Sequence, residues 1–148
     1  MNTVLICVRG FRIDAVLDGL RKRLHPSMRW IVLHVVDSGP TDDLDHARGQ
    51  LPDSGDRRPQ VHDRQAETSH DLHLQVRAEV EEWLASHGRR AEIVMAEGRP
   101  EQEILRIAHD RNVALIAIGD LTSPGPRRLP PVAQFVVDHA SCDVLLVR

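Results

Sequence analysis

The chain has 148 residues, 41% of them hydrophobic and 3% aromatic, with 22 acids against 19 Lys and Arg and a net charge of −3. That length fits one domain able to bury a real core, and no apolar run approaches the roughly 20 residues of a membrane span. Without excess positive charge, and with no Tyr to help stack bases, the chain is a poor fit to nucleic acid.

The N-terminal MNTVLICVRG runs straight into a strand, with no basic stretch or small-residue cleavage site, so a cytoplasmic protein is expected. Thr3 to Val8 is short, β-branched and apolar, the mark of a strand buried on both faces. Ile13, Val16, Leu17, Leu20 and Leu24 then recur at helical spacing, with Pro26 as a stop. Trp30 to Val36 is a second buried strand, ended by Asp37-Ser38-Gly39-Pro40. From Ser38 to Ser69 only five of 32 residues are apolar, and seven acids meet four Lys or Arg. Such a segment does not repay its ordering entropy and is expected to be a mobile loop inserted in the domain.

Leu72, Val76, Val80, Trp83 and Leu84 stripe a helix closed by Gly88. Ala91 to Ala96 reads as a strand. In EGRPEQEILRIAHDRN, Pro100 stands near the first helical position, acids fill the first turn, and Ile104, Leu105, Ile107 and Ala108 face inward. Val113 to Ile118 is a strand. Val132, Phe135, Val136 and Ala140 mark a last helix, and Val144 to Val147 a last strand. Strands alternating with helices imply βαβ units with right-handed crossovers: an α/β domain whose parallel sheet carries helices on both faces.

The phrases VLICV, IVLHVVD, IVMAEGRPEQEILRIA, VALIAIG and VVDHASCDVLLVR, in this order and spacing, resemble the universal stress protein family. The similarity covers nearly the whole chain except Ser38 to Ser69. It implies a Rossmann-like open parallel sheet of five strands in the order 3-2-1-4-5, often dimerised through the last strand. Nucleotide-binding members resemble one another in an Asp just after the first strand and in a glycine loop. That loop reads Gly, two residues, Gly, nine residues, then Gly and Ser or Thr. The glycines let backbone N–H groups approach phosphates, and a helix N-terminus faces the charge.

This chain departs from that pattern. Gly119 matches the first glycine, but Thr122 stands at the second. Pro130 and Pro131, which have no N–H to donate, occupy the final Gly and Ser or Thr. Arg9 replaces the Asp, and Asp120 adds negative charge beside the phosphate position. The implied crevice is therefore degenerate, built from Val8, Arg9, Val36, Asp37, Gly98, Gly119, Asp120, Thr122, Arg127 and Arg128. No cofactor is expected to bind it tightly; the alternative is a sensor that still accepts ATP or AMP.

Other candidates compete with simpler readings. Arg9, Arg127 and Arg128 offer a different anion site at the C-terminal edge of the sheet, but Arg9 also suits an ordinary ion pair with Asp37 or Asp120. His62, His70 and His73, with Asp63 and Asp71, suggest a metal module, yet zinc asks for about four ligands in an ordered frame. A solvated acidic loop explains them as well, and no metal is expected. His34 and His139 read as satisfied core or helix-end histidines. Cys142 reads as a small residue packed before a strand rather than a redox thiol, and two cysteines make no disulfide framework. No Ser-His-Asp or Cys-His arrangement is assignable from spacing.

The expectation is a non-enzymatic stress-response protein working through contacts with unidentified proteins. The implied strand order leaves Val144, Leu145, Leu146 and Val147 at a sheet edge that is apolar on both faces, so a homodimer through this strand is expected.

Overall fold

The structure, a computed structural model, describes residues 2–10, 12–37, 58–119 and 129–147, apart from the side chains of residue 37 and residues 58–69. Its first strand, β1 (Thr3–Val8), shows how the sheet is covered. Val4, Ile6 and Val8 pack on one face, Leu5 and Cys7 on the other, as the two-residue side-chain period requires. Then follow α1 (Ile13–Arg23), β2 (Arg29–Asp37), α2 (Arg58–Ser86) and β3 (Glu92–Gly98). The chain continues through α3 (Pro100–Asp110), β4 (Leu115–Ile118), α4 (Pro131–His139) and β5 (Asp143–Leu146).

All strand pairings are parallel, in the order β3-β2-β1-β4-β5. This is the Rossmann-like arrangement that the resemblance implied. One face is closed by α1 and α2, with Leu17, Leu20, Val76, Val80 and Trp83 against Trp30 and Val32. The other is closed by α3 and α4, with Ile104, Ile107, Ala133 and Val136 against Leu5, Leu33 and Ile116. Each large aliphatic side chain taken fully out of water contributes about 1.5–3 kcal/mol, and that gain drives the two layers onto the sheet.

The helix ends follow local chemistry. Gly88 takes the left-handed conformation at φ 60° after α2. Its N–H bonds to the carbonyl of Ala85 at 3.3 Å and that of Arg89 to Leu84 at 2.9 Å, a Schellman closure. Asn112, at φ 50°, does the same after α3, where the N–H of Val113 reaches the carbonyl of Ala108 at 3.1 Å. That bond explains why β4 starts at Leu115 rather than Val113: the N–H of Val113 closes a helix instead of joining the ladder. Pro100 begins α3 with Glu101 and Glu103 in its first turn.

Part of the segment from Ser38 to Ser69 departs from expectation. Residues 38–57 lie outside the described residues, but α2 begins at Arg58, so residues 58–69 are helical rather than loop. Low apolar content set the loop expectation, and it misjudged backbone propensity. Pro59 sits in the first turn, where proline is tolerated. Beyond it come Gln60, Arg64, Gln65, Ala66 and Glu67, with no further Pro or Gly; most of these are strong helix formers. Among the described residues, no helix is long and apolar enough to cross a membrane.

Candidate functional site

From the central strand β1 the chain moves outward through β2 and β3, then returns to the other side with β4 and β5. The reversal opens a crevice beyond the C-terminal ends of β1 and β4, the usual ligand position of an open α/β sheet. A cavity of about 430 Å³ lies there. Cys7, Val8, Arg9 and Gly10 line it from β1 and its exit, Leu33 to Val36 from β2, and Ile118 and Gly119 from β4 and its exit. Leu72 of α2, Pro100 and Ile104 of α3, and Val132 of α4 are the other lining residues among those described. Among the described residues the lining is mainly apolar, with Arg9 exposed and His34 buried.

Four of the residues expected in the crevice line it: Val8, Arg9, Val36 and Gly119. Asp37 ends β2 opposite Gly98 of β3; Gly98 is not among the lining residues, and the side chain of Asp37 lies outside the described residues. Asp120, Thr122, Arg127 and Arg128 also fall outside them, as do both proposed carboxylate partners of Arg9. The sequence reading missed Cys7, His34 and Leu72. Cys7 and His34 were visible as odd residues within apolar strands, whereas Leu72 looked like any stripe residue.

Gly119 has a structural reason unrelated to phosphate. It is buried, and a Cβ built on it would overlap the side chain of Val16 on α1. The start of α4 is equally telling. Pro130 is its N-cap and Pro131 its first residue, so two backbone positions that would face an anion carry no N–H. The thiol of Cys7 is pushed up to about 12 by burial, which keeps it protonated and a weak nucleophile.

His34 is not an isolated core histidine. Its Nδ1 lies 3.0 Å from Nδ1 of His73 on α2, with the rings perpendicular and their centroids 5.1 Å apart. Burial, and then the neighbouring His73, lower His34 to about 4. His73 is also lowered, by burial first, against the raising influence of Glu97. Of the other histidines considered for a metal, His70 is exposed and the side chain of His62 lies outside the described residues. Among the described residues, no group of three or more His, Cys, Asp or Glu is gathered so as to hold a metal ion.

His139 ends α4, stacked on Phe135 at 4.1 Å with its Nδ1 2.9 Å from the Phe135 carbonyl oxygen. Cys142 lies with His109 and His139 in a smaller cavity of about 240 Å³. Its thiol is raised by burial and by Asp143, the opposite of what a reactive thiolate needs. At the sheet edge, Val144, Leu145 and Leu146 are half-buried, but Val147 lies beyond β5 and is buried in the core of its own chain. Only the first three are available for an edge contact.

A profile of the universal stress protein family matches residues 14–148. A universal stress protein from Lactobacillus plantarum is similar at 20% identity and TM-score 0.62, covering 99% of this chain and 97% of its own. A universal stress protein family protein from Arabidopsis thaliana with AMP bound gives 18% identity and TM-score 0.61, covering 99% and 91%. A universal stress protein in complex with cAMP gives 15% and 0.59, covering 99% and 96%. At such identities the likeness establishes the fold. No curated protein matches the chain.

Proposed function

We propose that this chain, which belongs to the universal stress protein family, is a non-enzymatic stress-response protein of the cytoplasm. It acts through protein contacts and holds adenine nucleotides weakly or not at all. The start of α4 carries this reading. Val132 brings that helix end to the crevice, and Pro130 and Pro131 remove backbone donors there. The packing of Gly119 against Val16 accounts for the remaining loop glycine without a phosphate. Titration calorimetry with ATP and with AMP tests it: no binding in the low-micromolar range is expected. Such binding corresponds to roughly −7 to −8 kcal/mol and would overturn the reading.

Protein contacts begin with a second copy. The edge strand β5 pairs with β4 alone among the described strands and offers Val144, Leu145 and Leu146 for antiparallel pairing about a two-fold axis. Light scattering is expected to give twice the 16.7 kDa of one chain, and Leu146→Lys a monomer. A single-chain mass at tens of micromolar rejects the dimer. The second reading, an adenine-nucleotide sensor, draws on the crevice's position and on the AMP- and cAMP-bound relatives.

A further inference from the structure

The geometry points to a proton-operated latch between α2 and the sheet: His34 and His73 share one hydrogen bond that survives a first protonation of the pair and is broken by the second. The two Nδ1 atoms stand 3.0 Å apart, so one must carry the hydrogen and the other a lone pair. His73 is the better donor, because it is less buried than His34 and the carboxylate of Glu97 favours its charged form. A first proton goes to Nε2 of His73, and the resulting imidazolium still donates from Nδ1, more strongly than before. A second proton has to take the lone pair on Nδ1 of His34. Two N–H groups on two cations then face each other beside a buried ring, and the contact has to open.

The position of the latch gives this opening a consequence. Leu72, next to His73, lines the crevice and lies against Gly10, where an added Cβ would come within 3.1 Å of its Cδ1. Parting His73 from His34 therefore lifts the crevice wall formed by this turn of α2. Glu97 of β3 and His70 of α2 act on His73; the surrounding elements also carry Cys7 of β1 with Arg9 beyond it, Arg29 of β2, Glu92 of β3, and Asp71, Arg77, Glu79, Glu81 and Glu82 of α2, while the side chain of Asp37 lies outside the described residues. Cys7 stays neutral; Glu97 favours the first proton on His73, and His70 opposes it. The latch works the same with or without a nucleotide in the crevice.

The test is hydrogen exchange on the intact protein from pH 7 downward, read as protection factors, with the histidine rings followed by NMR. In the wild type, residues 70–76 are expected to lose protection as His34 titrates with a midpoint of about 4, while the turn around Trp83 keeps its own. His34→Asn retains an acceptor near the Nδ1 position but does not take the second proton, so its residues 70–76 are expected to stay protected over the same range. Should that variant not fold, His73→Asn serves, since an amide can present either an N–H or an oxygen to His34. Equal loss of protection in wild type and the folded variant overturns the latch. So does unchanged protection in the wild type, or a His34 midpoint near the ordinary value of about 6.5.

Discussion

Besides the apolar contacts of Val76 and Val80, α2 is fastened to the sheet at two places, and these fastenings differ in kind. Near its C-terminal end, Trp83 stacks on Trp30 of β2 with centroids 5.7 Å apart and planes within 13°. The guanidinium of Arg89 sits 3.8 Å over the Trp30 ring, His87 stacks on Trp83 at 4.1 Å, and Trp83 Nε1 donates to Asp18 of α1 at 2.9 Å. Three turns earlier, as the spacing of His73 and Trp83 gives at about 3.6 residues per turn, and beyond the buried Val80 and Val76, one imidazole pair joins the helix to β2. The first fastening removes a large apolar area from water and persists whatever the protonation of any one group. The second is a single hydrogen bond between titratable rings. A helix held in this way is firm at one end and conditional at the other, and the conditional end is the one beside the crevice.

The largest effect should come from breaking the aromatic fastening. Trp83→Ala removes the stack on Trp30 and leaves a cavity, with an expected loss of about 3–5 kcal/mol in denaturant unfolding. A loss under about 1 kcal/mol would mean that the stack contributes little.

Acid should loosen the other fastening by a smaller amount. The folded value of His34 lies at about 4, below the ordinary value of about 6.5, so its neutral form is the one favoured by folding. Its contribution is complete above about pH 6.5 and declines as pH falls towards the folded value, because the unfolded chain takes up the proton first. The expected loss between pH 7 and pH 4 is about 3 kcal/mol. In His34→Asn, the difference in unfolding free energy between pH 7 and pH 4 should shrink relative to wild type; an unchanged difference would assign the pH dependence to other groups.

Asp18→Ala sharpens the comparison at the aromatic end. It takes one hydrogen bond from Trp83 but leaves the stack, for about 1 kcal/mol. The smallest effect lies between the two fastenings, where Arg77 and Glu81 pair at 3.1 Å with both side chains more than half exposed. Arg77→Ala should cost no more than about 0.5 kcal/mol. A larger loss would show that the helix surface contributes to holding α2.

Much of the fold was legible because it rests on short-range pattern. The alternation of Val4, Leu5, Ile6 and Cys7 between faces, the stripe Val76-Val80-Trp83-Leu84, Gly88 as a helix stop and Pro100 as a start all follow from local geometry. The start of α2 was not legible. Polar composition and helix propensity point opposite ways over residues 58–69, and composition received the greater weight. The crevice was located through resemblance, and Val8, Arg9, Val36 and Gly119 do line it. Leu72 was missed because its nearness to Gly10 depends on how α2 lies across the sheet.

His34 shows where local pattern stops and tertiary structure takes over. Its place in IVLHVVD settles that it lies in a buried strand, since apolar neighbours on both sides leave that strand nowhere else to go. Its partner stands 39 residues away in the chain, and no spacing rule links the two. Only the packing of α2 on β2, anchored by Trp83 on Trp30, brings the Nδ1 atoms face to face. The same holds for Gly119: the sequence shows a glycine after a strand, but the side chain that excludes a Cβ there is Val16, on another element. Short-range forces set which residues are helix, strand or turn because those depend on neighbours a few positions away. Which side chains meet depends on how the layers stack, and that is fixed only when both faces of the sheet are covered.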